Sequence, residues 1–135
     1  ETASDHFEPE ELAARLMQGD ADLIVVDVRS PGEYATFHLR GAVNVPLSEL
    51  TSYLAPHKNR RTVVLYSNGM THPAQARDLL AQLGYRNVYM LTGGLSGFVE
   101  WCLKPVSLRS EPLSPQDAQR VRAWRAYFLE ETASN

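Results

Sequence analysis

Short apolar runs alternate with amphipathic segments along the chain. Four apolar runs have the length and composition of strands: Leu23–Val26, Ala42–Val45, Thr62–Tyr66 and Val88–Leu91. The first run is apolar throughout, which is typical of a strand that is buried on both faces of a parallel sheet. Helical segments separate the runs, and this alternation predicts an α/β fold with a parallel sheet.

Caps, stripes and glycines indicate the helices between these strands. Pro9 suits the first turn of an early helix, and Ser30 and Glu33 have the spacing of a capping box, in which Glu33 is a cap residue. A helix that opens at Pro73 and ends at Gly84 has the clearest apolar stripe. Its members recur at i, i+3, i+4 and i+7: Ala76, Leu79, Leu80 and Leu83.

Two further helices are predicted after the last strand. Gly93–Gly94 leads into a helix that carries Phe98, and Ser114–Pro115 caps a final helix beyond the linker-like stretch Lys104–Pro112. We expect this final helix to pack on the domain through an apolar stripe: Ala118, Val121, Trp124 and Phe128. Three arginines are expected on its solvated face: Arg120, Arg122 and Arg125.

Composition narrows the class of protein. The 135 residues are 44% hydrophobic and 21% charged, which suits one globular domain, so we expect residues 1–135 to form a single domain. A net charge of −3 argues against a nucleic-acid partner, and no apolar run approaches the roughly 18 residues that a membrane span requires. We expect a soluble chain, either cytoplasmic or exported; because it starts without Met, its localisation stays open.

Cysteine and histidine usage bears on disulfides and metals. Cys102 is the single cysteine, so an internal disulfide is excluded, and its place beside Trp101 on an amphipathic helix favours a core role. The histidines lack the spacing of metal ligands with one another or with that cysteine: His6, His38, His57 and His72. No Walker or dinucleotide motif is present. We therefore predict neither a metal nor a cofactor.

The segment between Tyr66 and Pro73 is the strongest candidate for a site. In parallel sheets, ligands bind beyond the carboxyl ends of the strands, where loop N–H groups and helix N-termini favour anions. A nucleophile would stand at the first position of such a loop, which is Ser67. The pattern therefore predicts an anion-binding loop, formed with Ser67 by Asn68, Gly69, Met70, Thr71 and His72.

Three segments resemble the signatures of the rhodanese-like (sulfurtransferase) domain family. DVRSPGEY begins at Asp27 and HLRGAVNVP at His38, and together they are similar to the first signature of the family. GYRNVYMLTGG, which begins at Gly84, is similar to its closing signature. The resemblance covers residues 7–103 and leaves 104–135 as a C-terminal extension. It implies a five-stranded parallel sheet with helices on both faces, to which the last helix is added.

The resemblance also implies where chemistry takes place. Active members of the family have a C-x-x-x-x-R loop after the fourth strand, and its Cys carries a persulfide taken from a donor such as thiosulfate. Ser67 stands at the Cys position and His72 at the Arg position. Sulfur transfer needs a thiolate, which a serine cannot supply. We therefore expect the chain as it stands to lack sulfurtransferase activity, and whether it is an enzyme stays open.

Asp27, Arg29 and His38 are expected to support this loop. Asp27 and Arg29 end a buried strand, where an ion pair that fixes the surrounding loops is favoured over direct contact with a ligand. His72 is a candidate to hold an anion, more weakly than an arginine and more strongly at acid pH.

Two functions are compatible with these residues. One is a rhodanese-like domain that binds a small sulfur- or oxygen-containing anion or a protein partner without persulfide chemistry. The alternative is a thiosulfate-type sulfurtransferase whose nucleophilic Cys is replaced by Ser67. His72 favours the first, because a replaced nucleophile would not explain the change from Arg. Hydrolysis by Ser67 with His72 as its base lacks an orienting carboxylate, and a phosphatase of this fold would also need the thiolate.

Overall fold

The computed structural model describes residues 6–69 and 71–129, without the side chains of residues 71 and 72. The strands are β1 (His6–Phe7), β2 (Leu23–Asp27), β3 (Val43–Asn44), β4 (Thr62–Tyr66) and β5 (Val88–Leu91). The helices are α1 (Pro9–Met17), α2 (Pro31–Thr36), α3 (Leu50–Leu54), α4 (Thr71–Gln82), α5 (Gly94–Phe98) and α6 (Pro115–Leu129). Short 3-10 turns cover Leu47–Glu49, Ala55–His57 and Val106–Leu108, and a π-helical turn covers Val99–Leu103.

The strands form one parallel sheet in the order β1-β5-β4-β2-β3. The predicted α/β fold, with its five-stranded parallel sheet, flanking helices and added C-terminal helix, is confirmed. The strand predicted over Ala42–Val45 is shorter, because only Val43 and Asn44 pair with β2. Strand β1 was not predicted from the sequence, because two residues are too few to show an alternation of apolar and polar positions.

Alternate residues of the strands face opposite sides of the sheet and build two cores. On β2, Leu23 and Val25 belong to the core that also contains residues of α1, α5 and α6. Ile24 and Val26 belong to the other core, which α3 and α4 complete. The sheet is therefore covered on both faces, which explains why its central strands β2 and β4 are mainly apolar.

Helix α4 differs from its prediction in two ways. It begins at Thr71, two residues before Pro73, so that the proline lies in the first turn, where its missing N–H is tolerated. Half of the predicted stripe is buried, namely Ala76 and Leu80. Leu79 and Leu83, the other two members of the stripe, are 52% and 45% exposed, so the predicted helix is present but only part of its apolar stripe is buried.

Helix α6 packs on the domain as predicted. Its four stripe residues are buried: Ala118, Val121, Trp124 and Phe128. Ser114 caps the helix by accepting a hydrogen bond from the Asp117 amide at 3.1 Å. The prediction that all three arginines are merely solvated is wrong for Arg125, which is half-buried and donates to the Leu103 carbonyl. Arg120 stacks on the Trp124 ring, 5.0 Å from its centroid.

The buried contacts of α6 predict that this helix contributes to the stability of the core. We expect Phe128→Ala to lower the free energy of unfolding by about 3–5 kcal/mol, because it removes a ring that packs edge-on against Phe98. Leu108→Ala is the control; this leucine is 66% exposed, so its loss should change stability by less than about 0.5 kcal/mol. Urea unfolding of both variants measures the difference, and equal midpoints would contradict the prediction.

Candidate functional site

The site lies where the direction of chain progression across the sheet reverses. The chain leaves β2 toward the edge strand β3, whereas it leaves β4 in the opposite direction toward β5. Asp27 and Tyr66, the last residues of β2 and β4, are paired in register, and the Val28 amide donates to the Tyr66 carbonyl at 3.0 Å. The loops after these two strands therefore flank a crevice at the carboxyl edge of the sheet, the usual ligand position in such folds.

A buried ion pair stands at the end of β2. The Arg29 guanidinium donates through Nε and Nη2 to the carboxylate of Asp27, at 3.0 Å to Oδ1 and 2.8 Å to Oδ2. The Arg29 amide also donates to Oδ1 at 2.9 Å. The Asp27 side chain is fully buried and that of Arg29 is 7% exposed. The hydrogen bond to Asp27 raises the pKa of Arg29 further above its ordinary value.

Arg29 connects this ion pair to two other segments. Its Nη1 donates to Asn68 Oδ1 at 3.3 Å, and its Nη2 donates to the carbonyl of Phe37. Asn44 holds the same backbone from the β3 side, because its Nδ2 donates to the carbonyls of Asp27 and Arg29. Most of the guanidinium donors are thus engaged by the protein. This geometry favours a structural role for the pair over direct contact with a ligand.

Asn68 also joins the candidate loop to helix α2. Its Nδ2 donates to Glu33 Oε2 at 2.8 Å, while Glu33 Oε1 accepts from the amide and hydroxyl of Ser30. The predicted capping box is therefore confirmed, and Glu33 has a second contact that the spacing did not predict. The hydrogen bond from Asn68, followed by those from Ser30, lowers the pKa of Glu33.

The carbonyls of the loop are held by the first turn of α5. The Leu95 amide donates to the Ser67 carbonyl at 2.8 Å, and the Ser96 amide donates to the Asn68 carbonyl at 3.2 Å. Gly94 makes this contact possible, since a Cβ at that position would lie only 2.6 Å from the carbonyl oxygen of Gly69. Its φ of +65° also favours glycine.

Ser67 directly follows β4 and is half-buried at the crevice, as expected for the first residue of the loop. Asn68 and Gly69 are exposed, and α4 begins two residues later at Thr71. Met70 and the side chains of Thr71 and His72, which complete the predicted loop, lie outside the described residues. The geometry therefore brings Ser67, Asn68, Asp27 and Arg29 to one edge of the sheet.

His38 has a different environment from the other predicted supporting residues. Its ring stacks on that of Tyr34, with centroids 3.6 Å apart, and its Nδ1 lies 2.8 Å from the Tyr34 carbonyl. Its contacts therefore stabilise the end of α2. The nearby segment is fixed from β4, because the buried Tyr66 hydroxyl accepts from the Leu39 amide at 3.1 Å. Burial raises the pKa of Tyr66 well above its ordinary value.

Cys102 is fully buried in the core, as predicted. Burial raises the pKa of its thiol to about 12, so that the thiolate is scarce near neutral pH. In the described part of the chain, no three His, Cys, Asp or Glu side chains are grouped so that they could hold a metal ion. None of the described helices combines the length and apolar character that a membrane crossing requires.

Sequence comparison identifies the family to which this fold and crevice belong. The family model for the rhodanese-like domain matches residues 8–100. The chain belongs to the rhodanese-like domain family. The match ends at residue 100, before α6 begins at Pro115.

This rhodanese-like domain is similar in sequence to curated proteins of two bacteria. It is 33% identical over 100 residues to an uncharacterised Synechocystis protein, with coverage of 74% of this chain and 55% of that protein. It is 39% identical over 66 residues to thiosulfate sulfurtransferase PspE of Escherichia coli, with coverage of 47% and 62%. The chain thus spans little more than half the length of these relatives.

Solved structures have the same rhodanese-like fold. The rhodanese-like domain of an Anabaena protein superposes with a TM-score of 0.63 at 27% identity, over 71% of this chain and 74% of that one. The human single-domain sulfurtransferase superposes with a TM-score of 0.60 at 26% identity, over 71% and 96%.

Two site contacts were not predicted from the sequence. The hydrogen bond from Asn68 to Glu33 joins residues that are 35 positions apart. It was not predicted because the capping-box spacing had already assigned the Glu33 carboxylate to Ser30. The approach of Gly94 to the loop had a signal in the Gly93–Gly94 pair, because two consecutive glycines after a strand favour positive φ and close backbone contact.

The contact between Gly94 and the loop predicts a specific effect of a methyl group. We expect Gly94→Ala to shift the amide resonances of Ser67, Asn68 and Gly69 and to cost about 1–3 kcal/mol, because the Cβ would overlap loop carbonyls in a strained backbone. Gly32→Ala is the matched control, since a Cβ there meets nothing within 4 Å. Unchanged loop resonances in the Gly94 variant would refute the contact.

Proposed function

We propose that this rhodanese-like domain binds a small sulfur- or oxygen-containing anion or a protein partner at the loop after β4, without persulfide transfer. The observation that carries the proposal is Ser67, which follows β4 where the family has its nucleophilic Cys. A hydroxyl does not form a persulfide and does not ionise near neutral pH. Cys102 is no substitute, because it is buried and its pKa is raised to about 12.

Charges around the loop favour weak anion binding. The N-terminus of α4 directs backbone N–H groups toward the loop, although Pro73 in the first turn lacks one. The carbonyls of Ser67 and Asn68 accept hydrogen bonds from α5, so they are engaged elsewhere. Arg29 is neutralised by Asp27, and the Glu33 carboxylate beside Asn68 opposes an anion. His72 is then the candidate source of positive charge at the loop.

A thiosulfate-type sulfurtransferase with Ser67 in place of its Cys is the second candidate. The similarity to PspE, whose name is that of a thiosulfate sulfurtransferase, favours it. The ion pair of Asp27 and Arg29 and the α5 contacts would hold a cysteine at position 67 as readily as a serine. The two candidates differ in what the loop does once a thiol is restored.

Restoring the thiol separates the two candidates. We expect no thiosulfate:cyanide sulfur transfer by the unmodified chain and little by Ser67→Cys, because His72 lacks the guanidinium fork that holds the donor anion. The double variant Ser67→Cys/His72→Arg should be the most active, and intact mass should show its added sulfur atom. Full activity of Ser67→Cys alone would favour the second candidate. Sulfur transfer by the unmodified chain would refute the account of Ser67.

Anion binding is tested independently of catalysis. We expect sulfate or thiosulfate to shift the amide resonances of Ser67, Asn68 and Gly69, and to do so at lower concentration at pH 5.5 than at pH 8. The sign follows from the histidine imidazole, which is charged below its ordinary pKa of about 6.5 and neutral above it. His72→Gln should remove the pH dependence. The absence of shifts at both pH values would remove the anion from the proposal.

A further inference from the structure

A cavity of about 300 Å³ lies beside Gly93, whose neighbour Gly94 contacts the candidate loop. Glu8 and Glu10 line it from the start of α1, Thr92 and Gly93 from the end of β5, and Trp101 from the π-helical turn. Its size is at the lower end of ligand pockets, which usually measure about 300–1,000 Å³. The binding proposed for the loop after β4 does not involve these residues.

The two carboxylates in this cavity are held by neutral donors. The Thr92 hydroxyl donates to Glu8 Oε2 at 2.9 Å, and Trp101 Nε1 donates to Glu10 Oε2 at 2.9 Å. Of the described residues that line the cavity, none is basic. The Arg120 guanidinium lies 3.9 Å from Glu10 Oε2. The lining of the cavity is therefore negatively charged, through Glu8 and through a Glu10 that Arg120 compensates only in part.

Trp101 adds an aromatic surface to these charges. Its ring is 55% exposed, although its indole N–H is fixed by Glu10. An exposed ring beside carboxylates suits a guanidinium or ammonium group, which the face of a tryptophan attracts. The core contacts of the π-helical turn come instead from Cys102 and Leu103, so the ring itself is free to contact a ligand.

A second cavity of about 170 Å³ adjoins the first, since Glu10 and Trp101 line both. The two cavities together form a groove. Its apolar walls come from α6 and the segment before it: Leu113, Val121 and Trp124. Arg109, Asp117 and Arg120 stand at its rim. A free small cation would fill only the first cavity, whereas a peptide segment with a basic residue and an apolar neighbour would fill both.

We propose that this groove binds a partner protein through a basic side chain, arginine or lysine, placed between Glu8, Glu10 and Trp101, with a neighbouring apolar side chain in the second cavity against Leu113. The proposal concerns a surface separate from the loop after β4. Gly93 lines the groove and precedes Gly94, which contacts the loop carbonyls, so a partner bound there would lie next to the loop.

The test uses the full chain and short capped peptides that contain one arginine and one leucine with glycine spacers of different length. We expect the best peptide to shift the Trp101 indole and Gly97 amide resonances, and its citrulline counterpart to bind about tenfold more weakly. Affinity should fall as salt is added, since the attraction is ionic. These measurements need no variant of the protein.

Isosteric variants locate the charge. Glu8→Gln and Glu10→Gln keep the oxygen that accepts from Thr92 or Trp101, and each should weaken binding about threefold. Glu49→Gln changes the net charge equally but lies before α3, so it should bind like the unmodified chain.

Three outcomes would overturn the proposal. They are equal binding of the citrulline peptide, shifts confined to Ser67, Asn68 and Gly69, and binding of methylguanidinium as tight as that of the peptide. The second outcome would leave anion binding at the loop intact. Conversely, a loop that fails to bind anions would not affect the groove.

Discussion

The buried ion pair of Asp27 and Arg29 is the interaction on which the crevice depends. An unpaired buried charge costs several kcal/mol, so each group requires the other, and together they fix the turn after β2. Through Asn68 and Phe37 the same guanidinium aligns the loop after β4 and the end of α2. Three segments, the turn after β2, the end of α2 and the loop after β4, are thus linked by one side chain. Because the pair neutralises itself, it provides shape to the crevice and little net charge.

This arrangement separates the architecture of the site from its chemistry. The rhodanese-like fold supplies a loop, a helix N-terminus and a rigid frame, all of which are compatible with a residue of either kind at position 67. What a thiolate would add is nucleophilicity, and the single thiol of the chain, that of Cys102, is buried in the core. The functional proposal therefore depends on the hydroxyl oxygen of Ser67, in place of a cysteine sulfur, and on the charge at His72, rather than on any difference in the fold.

The fold was largely predictable from the sequence, and the site was predictable in part. Apolar runs identified β2, β4 and β5 because each is long enough to show a pattern, and they identified β3 with bounds that were too long; only β1, a two-residue strand defined by its pairing with β5, was not predicted. The loop and the pairing of Asp27 with Arg29 followed from strand ends and charge burial. The links made by Asn68 and Gly94 did not, since they depend on distances between loops that only the assembled sheet defines. The exposure of Leu79 likewise reflects how α4 is rotated on the sheet.

The brevity of β3 also limits how the domain can associate with other chains. Only Val43 and Asn44 extend this edge of the sheet, and Pro46, which lacks an N–H, follows almost at once. An incoming strand would find too few free backbone groups for a ladder, so edge-to-edge aggregation and strand addition are both disfavoured on this side. On this side of the domain, recognition would then proceed through side chains, and selectivity among partners would follow from charge and shape rather than from backbone pairing.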